Sequence, residues 1–238
     1  MANSFFAFKQ FIVHQQHCAM KVGTDGVLLG AWANCANATD ILDVGTGSGL
    51  ISLMLAQRFQ NVVIRAVEME KSAALQAASN VAASKWSDRI TVFHSDFLTF
   101  NTTFSKKYDV IISNLPFFNN SLKNNNSKKA MARHSDDLPY EKFIAHASKM
   151  LNRNGKIMII LPIAEAQLFE RLALNYNLFC CKKTEVVPVI GKQPNRYLME
   201  FSENNSNFEL TQITIEKEIR HSYTNEFIEL MKDFYLYL

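Results

Sequence analysis

Residues 42–50 read LDVGTGSGL and join two patterns of different period. Before them, TDILDV (39–44) is a short apolar run of the kind that makes a buried strand; after them, LISLMLAQRF (50–59) carries apolar residues at helical spacing. Gly45, Gly47 and Gly49 between the two permit a sharp turn and a close approach of a ligand to the backbone. The alternation repeats outward. VVIRAVEM (62–69), ITVFHSDF (90–97), YDVIISN (108–114) and GKIMIILP (155–162) read as strands. EKSAALQAASNVAAS (70–84), PYEKFIAHASKML (139–151) and AEAQLFERLALNY (164–176) read as helices between and after them. Such alternation implies an α/β fold, a mostly parallel sheet with helices on both faces. KTEVVPVIG (183–191) and RYLMEFS (196–202), joined by a turn containing Pro194-Asn195, add an antiparallel edge hairpin and bring the sheet to seven strands. The final stretch, 224–238, reads as a helix capped by Thr224.

The 238 residues suit a single domain, and a net charge of +3 says little until its distribution is seen. From Val110 to Ser135 there is no acidic residue, while Lys123, Lys128, Lys129 and Arg133 fall inside that window. The polar run NNSLKNNNSKK (119–129) reads as a mobile loop. No apolar run is long enough to cross a bilayer, and the first residues lack a basic cap followed by an apolar core, so no membrane span or secretory leader is expected. Cys18, Cys35, Cys180 and Cys181 make neither a C-x-x-C pair nor a disulfide ladder and are expected as free thiols in a reducing cytoplasm. His14 and His17 beside Cys18 have no second ligand cluster, so no metal is expected.

The glycine turn is G-x-G-x-G, not the G-x-G-x-x-G of a dinucleotide fold, and Asp43 stands two residues before its first glycine. A carboxylate there would repel phosphate but suits a ligand with ammonium and sulfonium charge. Glu68 ends the second strand, where a carboxylate takes the hydroxyls of a ribose; Asp96 ends the third, and Phe97 follows it, suited to covering an adenine ring. Glu70 is a second candidate for the ribose, although it can instead serve the next helix N-terminus; Glu68 is preferred as nearer the strand end. Three acids at the carboxyl ends of three successive strands lie where ligands bind in open α/β sheets.

With DVGTGSG, AVEMEK and HSDF in this order, the sequence resembles the S-adenosylmethionine-dependent methyltransferases of the Rossmann-like class. The resemblance implies S-adenosylmethionine as cofactor, held by Asp43, Gly45, Thr46, Gly47, Gly49, Glu68, Asp96, Phe97 and Asn114. NLPF (Asn114, Leu115, Pro116, Phe117) is similar to the N-P-P-[YF] motif of methyltransferases that act on planar amides and exocyclic amines. An adenine amine delocalises its lone pair into the ring and is a poor nucleophile. If the Asn114 side chain and the Leu115 carbonyl each accept one of its hydrogens, the nitrogen gains tetrahedral character. Phe117 would stack on the target ring. Leu115 stands where that family usually has proline, which keeps the carbonyl but loses one fixed φ.

The motif does not separate adenine from protein glutamine as acceptor. FKQFIVHQQHCAMKVGTDGVLLGAW (8–32) is similar to the N-terminal signature of the bacterial valine-tRNA adenine methyltransferases, and PNRYLMEF (194–201) and YTNEFIELMKDFYL (223–236) to later segments of that family. This resemblance implies methylation of the exocyclic N6 amine of the adenine just 3′ of the anticodon, position 37 of tRNA1(Val). Lys21, Gly23, Thr24 and Asp25 would then open a helix that covers the cofactor; Thr24 and Asp25 also read as its N-cap. Lys123, Lys128, Lys129 and Arg133 would lie along the incoming anticodon stem-loop. The expectation is one methyltransferase domain over 1–238, with 1–38 as covering segment and 39–238 as Rossmann-like core, working as a cytoplasmic monomer. Two rivals stand beside it: a glutamine-amide methyltransferase, expected to carry a separate helical N-terminal domain, and a catalytically silent RNA-binding protein on the same fold.

Overall fold

The computed structural model describes residues 3–100, 106–116, 129–204 and 208–238, with only the helical backbone for 129–138. A short hairpin, β1 (Phe5–Ala7) and β2 (Ile12–His14), leads into α1 (Thr24–Trp32). Then come β3 (Asp40–Val44), α2 (Leu50–Arg58), β4 (Val63–Glu68), α3 (Lys71–Ala82), β5 (Ile90–His94) and β6 (Tyr108–Ser113). The chain continues as α4 (Lys129–Met150), β7 (Leu151–Pro162), α5 (Ile163–Leu174), β8 (Phe179–Val189), β9 (Arg196–Ser202), β10 (Glu209–Glu216) and α6 (Asn225–Met231). The strands from β3 onward form one eight-stranded sheet in the order β10-β8-β9-β7-β6-β3-β4-β5, parallel throughout except for β9.

The central strands carry apolar residues at consecutive positions because both faces are covered. Ile41, Val110, Ile112, Met158 and Ile160 point to one side, into a core shared with α1, α2 and α6. Their neighbours Leu42, Ile111, Ile157, Ile159 and Leu161 point to the other, into a core with α4 and α5. This is the period-2 alternation of a strand read on two buried faces. The first core also fixes how closely α1 and α2 cross: a Cβ on Gly30 would sit 2.7 Å from Met54 Sδ.

Three differences from the sequence reading have physical reasons. The sheet has an eighth strand, β10, which covers β8, so the late hairpin lies inside the edge. Its sequence, ELTQITIE, buries only Ile213 and lacks a clean alternation; it is held by its neighbour through Lys182–Glu209 (2.9 Å) and Thr184–Thr211 (2.6 Å). The backbone of α4 begins at Lys129, ten residues before the expected start, and continues through Pro139, so the basic window is helical from Lys129 onward. The last helix stops at Met231, although Thr224 caps it as expected, accepting from Phe227 N at 3.2 Å. Among the described residues, no helix is long and apolar enough to cross a membrane.

Candidate active site

The chain leaves β3 through a turn in which Gly45, Gly47 and Gly49 have φ of +67°, +58° and +83°. A Cβ at Gly45 or Gly47 would meet nothing within 4 Å, so the left-handed backbone and not lack of room selects glycine. The turn is pinned to β4: Gly45 N and Thr46 N both donate to Val67 O, at 2.8 and 3.1 Å. Gly47 N donates to Glu68 Oε2 at 2.9 Å, while Glu68 Oε1 accepts from Glu70 N at 2.9 Å. Glu68 is thereby held at the strand end by two backbone amides. Glu70 turns the other way, as its place before a helix suggested: it caps α3 by accepting from Ala73 N at 2.8 Å and from the Ser72 hydroxyl. These hydrogen bonds hold its carboxyl below the usual range.

Asp43 lies beneath this turn, fully buried. Its Oδ2 accepts from Thr46 Oγ1 (2.6 Å) and Ser52 Oγ (2.7 Å), bracing both the turn and the first helical turn of α2. Its Oδ1 is buried with no partner among the described residues. Burial outweighs the two hydroxyls and pushes its carboxyl up to about 6.

Above the turn opens a cavity of about 870 Å³ at the carboxyl ends of β3, β4, β5 and β6. Lys21, Gly23, Thr24, Gly45, Thr46, Gly47, Glu68, Asp96, Phe97, Asn114, Leu115 and Pro116, all singled out in the sequence, stand on its wall. Asp43 and Gly49 do not: Asp43 is below, and Gly49 is the N-cap of α2, packed on Ala77. Phe97 is wedged between the cavity and α4, with its ring 5.2 Å from Phe143 and edge-on to His146 at 4.8 Å. Ser113 turns inward, giving its hydroxyl to Val44 O at 2.7 Å, and the next residue faces the cavity. Asn114 Oδ1 is buried without a partner among the described residues. Phe117, Lys123 and Lys128 lie outside the described residues, as do the side chains of Lys129 and Arg133.

The expected cap of α1 needs correction. Gly23 is the N-cap, Thr24 is the first helical residue, and neither Thr24 nor Asp25 caps with its side chain. Asp25 instead accepts from Arg196 Nε at 3.0 Å, since the late hairpin reaches the same end of the sheet. Lys21, exposed, folds back on the covering loop, donating to the carbonyls of Gln15 (2.5 Å) and Cys18 (3.1 Å).

A family model described as Methyltransferase small domain matches residues 20–176. A Bacteroides thetaiotaomicron protein named tRNA1(Val) (adenine(37)-N6)-methyltransferase is 44% identical over all of both chains. One of the same name from Trichodesmium erythraeum is 43% identical over 99% of each. The chain belongs to the tRNA1(Val) (adenine(37)-N6)-methyltransferase family. Among solved structures, a predicted O-methyltransferase from Agrobacterium tumefaciens superposes with a TM-score of 0.67 at 16% identity, covering 88% of this chain and 96% of that one. An O-methyltransferase of neocarzinostatin biosynthesis, solved with S-adenosylmethionine, gives 0.55 at 14% identity, covering 75% of this chain and 53% of that one. At those identities the likeness speaks for the fold.

In this family member, three further residues shape the cavity and carried no sequence signal of doing so. Asn80 on α3 is buried; its Nδ2 donates to Ser48 O and His14 O (both 2.8 Å), and its Oδ1 accepts from His14 N at 3.0 Å. One amide thus ties the N-terminal hairpin to the glycine turn. Gln15, also buried, accepts from Val22 N at 2.7 Å and closes the covering loop on itself. Gly26 faces Asn114: a Cβ there would sit 3.7 Å from Asn114 Nδ2 and 3.2 Å from Leu50 Cδ2. The Asn80 and Gly26 interactions join residues distant in the chain, and the Gln15 one closes an irregular loop, so spacing does not encode them.

Proposed function

We propose that this protein uses S-adenosylmethionine to methylate the exocyclic N6 amine of adenine 37 in tRNA1(Val), working as a monomer in the cytoplasm. The observation that carries the reading is the unpartnered Asn114 Oδ1, buried at the strand end within a cavity walled by Glu68, Asp96 and Phe97. A buried acceptor without a donor costs about 1–3 kcal/mol, and a ligand N–H would relieve it.

The residues present fit the cofactor. Asp43 would serve it indirectly, by bracing the glycine turn from beneath through Thr46 and Ser52, and an opening of about 870 Å³ is of the size that takes a nucleoside-sized ligand. Glu68, held by two amides, would take the ribose hydroxyls; Asp96 and Phe97 would take the adenine. When bound, S-adenosylmethionine supplies a methyl group on a positively charged sulfur. The protein's own task is then to prepare the nitrogen. Asn114 Oδ1 and the Leu115 carbonyl accept the two amine hydrogens, which draws the nitrogen out of the plane of the ring and frees its lone pair. No strong base is needed before the methyl moves. Phe117 stacks on the extruded base, an interaction typically worth ~1–3 kcal/mol. The covering segment around Lys21, Gly23 and Thr24 excludes water, and Lys123, Lys128, Lys129 and Arg133 lie along the RNA backbone.

The decisive experiment offers the protein methyl-labelled S-adenosylmethionine with three acceptors in parallel: tRNA from a strain lacking the modification, a translation release factor, and duplex DNA. Label is expected in tRNA alone and, after nuclease digestion, in N6-methyladenosine at position 37. Label on a glutamine of the release factor would replace the reading with the amide one, and no label anywhere would leave a silent binding protein.

A further inference from the structure

The segment PNRY (194–197) is not used by the chemistry above, yet it stands at the site's own end of the sheet. Since β8 and β10 run parallel to the central strands and β9 runs against them, the carboxyl ends of β8 and β10 and the start of β9 all emerge beside the cavity. Two loops rise there, 190–195 and 217–223. They are joined to each other, Ile190 N donating to Glu216 O at 2.9 Å, and to the cavity wall through Arg196 Nε and Asp25 Oδ2. The second loop is a closed turn, with Lys217 N to Ser222 O at 2.7 Å and Ser222 N to Ile219 O at 3.0 Å.

Their side chains have a consistent chemistry. Lys192, Lys217 and Arg220 are exposed, and among the described residues none of the three makes an ion pair. His221 is exposed beside them, with its ring Nδ1 3.9 Å from Glu216 Oε1, and Glu218 is the one exposed carboxylate of the two loops. Two large apolar side chains stand out among them, Ile190 at 51% and Ile219 at 75% exposure. By contrast, at the opposite end of the sheet Asp40 is matched by Arg65 and Lys106.

We infer that these two loops are a docking platform for the tRNA backbone outside the target nucleotide. The proposal rests on the tRNA reading above and assigns it a second surface. Three strands, and so four inter-strand spacings, lie between β10 and β6, at whose end Asn114 stands; at ~4.8 Å per spacing the platform extends roughly 19 Å from the reacting base. At that distance it meets flanking phosphates and riboses, not the base itself. Lys192, Lys217 and Arg220 pair with phosphates, and Ile190 and Ile219 lie against sugar.

The test uses the full-length protein with Lys192, Lys217 and Arg220 all changed to Ala, beside a charge-keeping variant with Lys192→Arg, Lys217→Arg and Arg220→Lys. Equilibrium binding of an unmodified tRNA1(Val) transcript is followed across salt, and S-adenosylmethionine affinity is followed by calorimetry. The alanine variant should bind tRNA roughly tenfold more weakly, and the slope of log K against log salt should fall by about 2 to 3, close to one for each phosphate no longer neutralised. Cofactor affinity should not change, and the charge-keeping variant should match wild type. An unchanged slope overturns the platform, as does equal weakening in both variants. If the wild type binds tRNA but transfers no methyl group, the proposed reaction fails while the platform is still judged by the slope. If the wild type does not bind tRNA, both fail.

Discussion

At the scale of a residue, Asn114 and Asp43 each bury an oxygen that finds no donor among the described residues, at the same end of the same sheet. For Asn114 the expected role is orientation of the acceptor amine. Asn114→Ala should lower kcat by about a hundredfold or more, the loss typical of removing one preorganised polar group at a reacting centre. Cofactor affinity should stay within a few-fold; a full rate in that variant would remove Asn114 from the reaction. Asp43 makes a prediction about pH. Its folded pKa, about 6, lies above the ordinary value of 3.8 because desolvation dominates. The protonated carboxyl therefore favours the folded state, and this stabilisation, present below pH ~4, is lost as the pH rises through ~6. Thermal melts between pH 4 and 7.5 check this: Tm should fall as the pH rises through ~6, and Asp43→Asn should weaken that dependence.

At the scale of elements, the covering segment is held by side chains and by little sheet of its own. The hairpin β1–β2 has three residues per strand, and the loop behind it is secured by Asn80, Gln15 and Lys21. Asn80→Ala would strip partners from His14 N, His14 O and Ser48 O at once. Leaving the buried Ser48 O unsatisfied costs about 1–3 kcal/mol, the part-buried His14 groups less, and the cost falls locally because the core beneath is intact. Amides of residues 12–23 should then exchange hydrogen faster while those of β3 and β6 stay protected, and the KM for the cofactor should rise. Uniform protection across the chain would show that the segment does not depend on Asn80. The vicinal Cys180 and Cys181 belong to this scale too: burial pushes their thiols up to about 12 and about 11, so both are packing residues of β8 and not reactive thiolates.

For the whole molecule, the cavity draws its walls from the N-terminal segment, four strand ends and α4, so a ligand bound there should stabilise all of them together. S-adenosylmethionine at a hundred times its dissociation constant should add about 2.7 kcal/mol and raise Tm by roughly 5–10 °C for a chain of this size. Thermal melts with and without cofactor read this directly; an unmoved Tm would mean that nothing binds.

The core strands and their helices were legible in the sequence because each is specified locally. Short apolar runs such as 157–161, flanked by Gly155 and Pro162, read as strands buried on both faces, and left-handed backbone at Gly45, Gly47 and Gly49 admits little besides glycine. The places of Glu68 and Asp96 on the cavity wall were legible for the same reason, since open α/β sheets have their crevice at the carboxyl ends of the strands. What the tertiary structure alone decided depends on pairs far apart in the chain. β10 became a strand because β8 offered it a partner; Asp25 left its helix cap for Arg196; Asn80 bridged two segments; Asp43 slipped beneath the turn it was expected to face. Local pattern carries backbone preference and burial, whereas the direction of a polar side chain is set by whichever donor or acceptor packing brings within about 3 Å of it, and only the folded chain determines that neighbour.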